Sequence, residues 1–506
     1  MNICLEPKVR PAKTWLGNLA CLALCCLGST FIASILSYKR CLWLDELYML
    51  TTVKRPFMDA LLQVEDFSAP IYQALLRLII GPDSYPPEWL IRFPALLCGM
   101  AGLIATWWLG RMLFNGKVGI ISAFIVGFNP VFLEYAAEGR PYTMFLLFST
   151  CSVGTFYRFM GESSGKNLLL YLASSTLLVY SHYYGLFLFA GEGLFALVCL
   201  LSVQSKCKPK QAVYAFALLA LAAAPALWLI SRYMQSGLSG INGWILRPTL
   251  RSFVFVGPAT DLFHEKAVGI LCVWAIAVAG WASLKVFLGT RLRESSPGTQ
   301  ETAIEKTGAL PYLLCICWIA ASAYALLVIS YFIKPIYLLR YTFPVMVPCA
   351  IILVSVFCKM TRSVQGLGVA VIVASFLPEI GKQLQASRND YPAAIARIQH
   401  AGRSNDKIYA VAHNYCRDFV NPVEMGLKYY GCKDSNVCSL ELSRVGDAYR
   451  LAIQNQQILK SQNRFFLVAG VKESADAVRE SLTRSARLYT ELGCGEVTLF
   501  EVTKSE

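Results

Sequence analysis

The sequence is short of charge. Only 15% of its 506 residues are Asp, Glu, Lys or Arg, against about 25% in an ordinary soluble protein. Hydrophobic residues make up 56% and the mean hydropathy is +0.49. A soluble chain of this length has no single core large enough to hide that much apolar surface. Histidine is scarce, with four in all. No Cys-x-x-Cys occurs, and His413 is the sole histidine near the tail cysteines, so a zinc site is poorly supported. There is no Gly-rich phosphate loop and no internal repeat. No dense basic run with interleaved aromatics appears either. The net charge of +14 therefore does not read as nucleic-acid binding.

What the chain has in abundance is long apolar runs, each near the ~20 residues that cross a bilayer. The first covers about 14–36, after Lys8, Arg10 and Lys13. It is longer than the roughly 7–15 apolar residues of a signal peptide, so it reads as an uncleaved span with a cytoplasmic amino terminus. Ten more follow at about 87–110, 118–134, 141–158, 167–183, 185–204, 211–230, 266–289, 309–333, 341–358 and 364–381. The loops assigned to the cytoplasm carry Arg111 and Lys117, Arg158 and Lys166, Lys206 to Lys210, Arg291 to Lys306, and Lys359 with Arg362. That bias follows the positive-inside rule. An odd count of about eleven puts the carboxyl tail outside. The expected domains are a membrane domain over 1–381, with outer segments 38–86 and 231–265, and a soluble extracytoplasmic α/β domain over 382–506.

In the tail, helix and strand patterns alternate. Helices are expected at 392–400, 421–429, 448–460 and 475–492, and strands at 407–412, 437–442, 465–469 and 496–502. The alternation predicts a mostly parallel sheet. Most of the eighteen cysteines sit in apolar spans, where Cys behaves as a small apolar residue. Cys416, Cys432, Cys438 and Cys494 lie in the tail. An oxidising compartment would allow disulfides there, with Cys432 and Cys438 the nearest pair.

Four short motifs carry chemistry. Asp45-Glu46 follows the first span. Glu138-Gly139-Arg140-Pro141-Tyr142 lies between the third and fourth, and Ser181-His182-Tyr183-Tyr184-Gly185 between the fifth and sixth. Arg340-Tyr341-Thr342-Phe343-Pro344 enters the tenth. Each alone has a plain reading: a hydrated acid pair, an interfacial charge cluster, a hydrogen-bonding histidine, a snorkelling arginine. All four fall on one predicted face of the membrane. Together they offer carboxylates for base or metal chemistry and guanidinium groups suited to forked bonds with phosphate. Arg92 reads as an outer-edge arginine that snorkels. Glu192, inside the sixth span, is a functional candidate by its place alone, or a buried hydrogen-bonding group beside close-packing glycines.

These motifs, with Pro70-Ile71-Tyr72 and Arg92-Phe93-Pro94-Ala95, resemble in order and spacing the GT-C glycosyltransferases that use polyprenyl-phosphate sugars. The nearest likeness is to the bacterial protein O-mannosyltransferase and lipid A aminoarabinose transferase superfamily. The resemblance covers roughly 40–350. Two departures stand out: Ser68-Ala69-Pro70 replaces a His-Pro-Pro-like stretch, and Ala136-Ala137-Glu138-Gly139 replaces a Ser-Gln-Glu-Ala-like one.

The resemblance implies transfer of a sugar from a polyprenyl-phosphate carrier to an acceptor hydroxyl, on the extracytoplasmic side of a bacterial inner membrane, with inversion. Asp45 would take the acceptor proton, and Arg140 and Arg340 would hold the donor phosphate. Glu138 would order Arg140 or join Asp45 around a divalent metal. If a metal binds, carboxylate ligands suit Mg or Mn. His182, Tyr142 and Tyr341 would line the donor pocket. Glu46 would do the same or pair with a nearby arginine. The acceptor is left open among lipid, glycan and protein. The competing reading is a polytopic transporter or flippase of lipid-linked sugars, against which stand the missing repeat and the edge position of the polar motifs.

Overall fold

A computed structural model of the chain describes residues 12–62, 70–81, 85–202, 207–235, 245, 247–249, 266–293, 301–386, 390–401, 406–413, 421–431, 437–445, 448–451, 462–470, 472–485, 487–494 and 497–503. The chain divides into two compact units. The first comprises Met1–Ser34, Asp66–Tyr72 and Phe93–Gln383; the second comprises Ile35–Glu65, Gln73–Arg92 and Leu384–Glu506.

The first unit is helical. Its elements include α1 (Ala12–Lys39), α4 (Pro70–Ile80) and α5 (Glu88–Leu113), parts of which belong to the second unit. They continue through α6 (Gly116–Gly127), α7 (Pro130–Ala136), α8 (Tyr142–Gly161), α9 (Gly165–Ser181), α10 (Gly185–Ser202), α11 (Pro209–Gln235) and α12 (Lys266–Arg293). α13 (Glu301–Ile319) runs through a π turn into α14 (Ala325–Phe332), and α15 (Met346–Phe357) and α16 (Arg362–Gln385) follow. Each of the eleven predicted spans falls on helix. Among the described residues five helices are long and apolar enough to cross a membrane: Gly17–Lys39, Glu88–Leu113, Pro209–Gln235, Gly308–Phe332 and Arg362–Gln385. α8 and α9 are rich in hydroxyl residues. Thr150, Thr155 and Ser174 return their hydroxyls to the carbonyls of Leu146, Cys151 and Leu170, at 2.8, 2.8 and 2.9 Å.

The run expected as one span at 118–134 is two helices bent by 68°. The cause is Asn129-Pro130. The Asn129 side chain accepts the Val131 N–H at 2.8 Å and so starts a new helix, while Pro130 brings no N–H to continue the old one. Of the outer segment expected at 231–265, residues 231–235 continue α11 and most of the rest lies outside the described residues.

The second unit carries α2 (Leu44–Val53), α3 (Phe57–Leu62) and the tail. The tail runs α17 (Tyr391–Ala401), β1 (Lys407–His413), α18 (Pro422–Tyr429), β2 (Val437–Val445), β3 (Ala448–Leu451), β4 (Arg464–Ala469), α19 (Lys472–Arg484), β5 (Leu488–Cys494) and β6 (Val497–Thr503). The sheet order is β3-β2-β1-β4-β6-β5. Its core packs Val411, Leu440, Phe465 and Leu467 of the sheet against Val478 and Leu482 of α19.

Three tail expectations need correction. The sheet is mixed rather than mostly parallel: β1 pairs in parallel with β2 and β4, and the other three ladders are antiparallel. The helix expected at 448–460 begins instead as strand, because β3 folds back on β2 with Ala448 opposite Val445. The helix expected at 475–492 stops at Arg484, where the Ser485 and Arg487 amides both turn back to the Leu482 carbonyl. The chain then leaves as edge strand β5 beside β6. Cys438 and Cys494 carry free thiols in this structure, and Cys438 packs against the sheet core. The partner expected for Cys438 is Cys432. Cys416 and Cys432 lie outside the described residues.

Candidate active site

In the first unit the break at Asn129-Pro130 makes α7 short, and the chain turns between α7 and α8 through Glu138–Pro141. The Arg140 amide bonds to the Glu138 carbonyl at 2.8 Å, and the Phe145 amide to that of Pro141 at 2.8 Å. Glu138, Arg140 and Tyr142 are all buried. Thr143, one residue into α8, donates to the Ala95 carbonyl of α5 at 2.7 Å and fixes the turn's exit.

His182 caps α9, its amide bonded to the Leu178 carbonyl at 3.0 Å. Its ring stacks on Phe145, with centroids 4.5 Å apart and planes 16° apart. Tyr142, Tyr184 and Tyr341 surround it at 6.3, 5.4 and 5.5 Å. The Nδ1 atom accepts the Tyr184 amide at 3.3 Å. A neutral ring bonded this way carries its proton on Nε2. Burial, then the Arg140 and Arg340 guanidiniums, push the imidazole from 6.5 down to about 3. Both arginines therefore act on the same ring, one from the α7–α8 turn and one from the 3-10 turn Leu339–Tyr341. Tyr341 stacks on Tyr184 at 4.3 Å, Tyr184 bonds the Ile336 carbonyl at 3.1 Å, and Arg340 lies over the Tyr341 ring at 5.7 Å.

The structure thus brings together five of the eight candidate residues: Arg140, Tyr142, His182, Arg340 and Tyr341. Glu138 lies in the same unit, two residues from Arg140. Three of the four motifs, far apart in sequence, meet around one imidazole.

Asp45 and Glu46 belong to the second unit, in the first turn of α2. Asp45 is half-buried. Glu46 is fully buried and takes the Arg92 guanidinium on both oxygens: Nε at 2.7 Å and Nη2 at 2.8 Å. It also accepts the Trp43 amide at 3.1 Å, which caps the helix. Arg92 spends its other donors on the carbonyls of Ser37, Arg40 and Cys41. Glu46 is thus the arginine-paired acid that the sequence offered as one alternative. Arg92 does not snorkel; it is 2% exposed and clamps the connection between α1 and α2.

The two candidate metal ligands, Asp45 and Glu138, are divided between the two units. Among the described residues no three His, Cys, Asp or Glu side chains gather as a metal-binding group. Glu192 is buried in α10 and accepts Ser152 at 2.8 Å and Tyr171 at 2.7 Å, while Ser152 also meets Ser175 at 2.9 Å. The network ties α8, α9 and α10 together. Next to it, a side chain on Gly191 would strike the Cys317 carbonyl at 2.7 Å, so α10 and α13 touch backbone to backbone.

Residues 69–229 match the family model described as dolichyl-phosphate-mannose-protein mannosyltransferase. Two solved structures of ArnT from Cupriavidus metallidurans are similar along nearly the whole chain. The one bound to undecaprenyl phosphate matches 97% of this chain and 98% of that one, at 12% identity and a TM-score of 0.55. The apo form matches 96% and 98%, at 12% identity and 0.52. The chain has the GT-C glycosyltransferase fold. The archaeal oligosaccharyltransferase AglB from Archaeoglobus fulgidus, solved with an inhibitory peptide and a dolichol-phosphate, shares it over 98% of this chain and 75% of its own, at 10% identity and 0.50. No curated protein sequence matches. Within this GT-C fold the family match takes in Arg92, Glu138, Arg140, Tyr142 and His182. Asp45 and Arg340 lie outside it.

Sequence reasoning missed Glu88, Tyr429 and Tyr430 of the second unit. The Glu88–Arg92 pair, four residues apart at the start of a helix, was a usable signal. Tyr429-Tyr430 carried none.

Proposed function

We propose that the chain is a membrane glycosyltransferase that moves a sugar from a polyprenyl-phosphate carrier to an acceptor hydroxyl, on the extracytoplasmic face of a bacterial inner membrane. The observation that carries this reading is the meeting of three motifs at buried His182, whose ring lies 6.3 Å from Tyr142 and 5.5 Å from Tyr341, residues of the Arg140 and Arg340 motifs. Arg140 and Arg340 would supply the guanidiniums of an anion site there. Its donors are preorganised away from bulk water, where they hold developing charge best. Phosphate, like carboxylate, is an anion whose geometry forked guanidiniums fit.

The reaction follows from the residue types. The acceptor oxygen attacks the anomeric carbon and its proton passes to the Asp45 carboxylate. The bond from that carbon to the phosphate oxygen breaks, and its electron pair leaves on the phosphate. Arg140 and Arg340 stabilise that charge. A single displacement inverts the anomeric centre. Glu138 orients Arg140, and Tyr142, Tyr341 and His182 line the donor side. If a divalent cation takes part, Asp45 and Glu138 are the carboxylates to hold it, and Mg or Mn suits them. Glu46 has no direct part, since Arg92 and the Trp43 amide occupy its oxygens.

The test is consumption of a panel of labelled polyprenyl-phosphate sugars by purified protein, wild type beside Asp45→Asn. Turnover lost in the variant, with donor binding kept, supports the reading and names the sugar. Near-normal turnover in Asp45→Asn removes Asp45 as the base. No saturable binding of any lipid-phosphate sugar by the wild type removes the glycosyltransferase.

A further inference from the structure

Tyr430 closes α18 and stacks on Tyr391 of α17, with centroids 5.6 Å and planes 12° apart. Its hydroxyl does two things. It accepts the Leu42 amide at 2.8 Å and donates to the Glu88 carboxylate. Burial and the bonded carboxylate push this phenol far up, so it keeps its proton. Glu88 lies 3.6 Å from the Arg92 guanidinium, which in turn forks Glu46. Leu42 and Glu46 bracket Trp43, the cap of α2, and Asp45 is the second residue of that helix. A continuous polar chain thus runs from the tail domain to the turn that carries the acid.

Two further contacts link the tail to Pro86 and to the start of α2. Tyr429 donates its hydroxyl to the Pro86 carbonyl at 2.5 Å. At the end of β4, Gly470 packs tightly on Val423, where a Cβ would stand 2.5 Å from Cγ2; the same Cβ would stand at ordinary contact range of Leu44, 3.5 Å from its Cδ1. The core cluster of the domain is built from sheet residues and α19, without Tyr429 or Tyr430.

We propose that Tyr430 is a positioning residue, through which the C-terminal α/β domain holds the first turn of α2 in the geometry Asp45 needs. The inference rests on the glycosyltransferase reading for its effect on turnover, but not for its effect on the turn. Small displacements suffice: a misplacement of about 1 Å at a reacting group costs on the order of a hundredfold in rate.

The experiment uses the full chain in detergent and Tyr430→Phe, which keeps the ring and its stack and removes only the oxygen. Amide hydrogen exchange is read at 42–50 and, as the internal reference, at the strands 407–413 and 464–469. Turnover is read with a labelled polyprenyl-phosphate sugar. Exchange should quicken at 42–50 alone, and kcat should fall roughly ten- to a hundredfold while donor KM stays within about twofold. Glu88→Gln, which keeps an acceptor for the phenol, should fall between the variant and wild type. Unchanged protection at 42–50 overturns the proposal, as does wild-type kcat. Loss of protection in the reference strands overturns it too, since the hydroxyl would then serve the domain's folding. A wild type that consumes no lipid-linked sugar removes the proposed function, and the exchange comparison still decides whether Tyr430 holds the turn.

Discussion

The ring of His182 lies almost parallel to that of Phe145 at 4.5 Å, with its Nδ1 held by the Tyr184 amide. One face and one nitrogen are thereby fixed, and two guanidiniums oppose a charge on what remains. Burial and the two guanidiniums favour the uncharged ring.

That state has a pH signature. The folded imidazole ionises near 3 against 6.5 when free. Between those values the unfolded chain binds the extra proton, so stability rises with pH across that window and is fully present above about 6.5. Acidification from pH 7.5 to 5 should therefore cost the wild type more stability than His182→Gln. Thermal unfolding of both proteins at the two pH values checks this. Identical pH dependence would contradict a buried neutral ring.

Arg340→Ala should weaken binding of a polyprenyl phosphate by about 1.5–3 kcal/mol, the worth of a charged hydrogen bond. Arg340→Lys should recover part of it, because the charge stays and the fork is lost. Equilibrium binding of a labelled lipid phosphate gives both numbers. Unchanged affinity in the alanine variant would take Arg340 out of the donor site.

Arg92→Ala should destabilise the protein by roughly 3–5 kcal/mol, because it leaves Glu46 charged, buried and uncompensated. Removing both partners, as Arg92→Met with Glu46→Leu, should cost clearly less than removing the arginine alone. Thermal unfolding in detergent of Arg92→Met, Glu46→Leu and the double gives the comparison. Additive losses would mean the pair is not coupled.

Glu192→Leu removes the acceptor that the Ser152 and Tyr171 hydroxyls share and leaves Ser152 only its contact with Ser175, a loss of about 1–3 kcal/mol. Glu192→Gln keeps an acceptor and should be milder. If the network serves only to join α8, α9 and α10, both variants lose stability while kcat per folded molecule stays constant. A fall in kcat at unchanged stability would make Glu192 part of the substrate path.

Much of this was legible in the sequence. Apolar runs marked the helices, because backbone in lipid has few alternatives to helix. The motifs at 138–142, 182–185 and 340–344 announced themselves by residue type and sidedness, and three of them meet at His182. Other features were illegible for physical reasons. The bend at Asn129-Pro130 lies inside an unbroken apolar run, where hydropathy alone sees one span. Arg92 looked like a snorkelling arginine because nothing local shows that Ser37, Arg40 and Cys41 turn their carbonyls toward it. In the tail, 448–451 and 488–494 have spacings that suit helix. Pairing with β2 and β6 overrode that local preference.

The bend between α6 and α7 also bears on how the protein is made. Residues 116–136 have the hydropathy of one span and the geometry of two helices. The insertion machinery reads apolarity and would pass this stretch into lipid as a single piece. The bent form comes from the Asn129 cap and from Pro130, which hydropathy does not register. A chain inserted here on its apolarity alone still has this bend to make before the turn Glu138–Pro141 leads into α8.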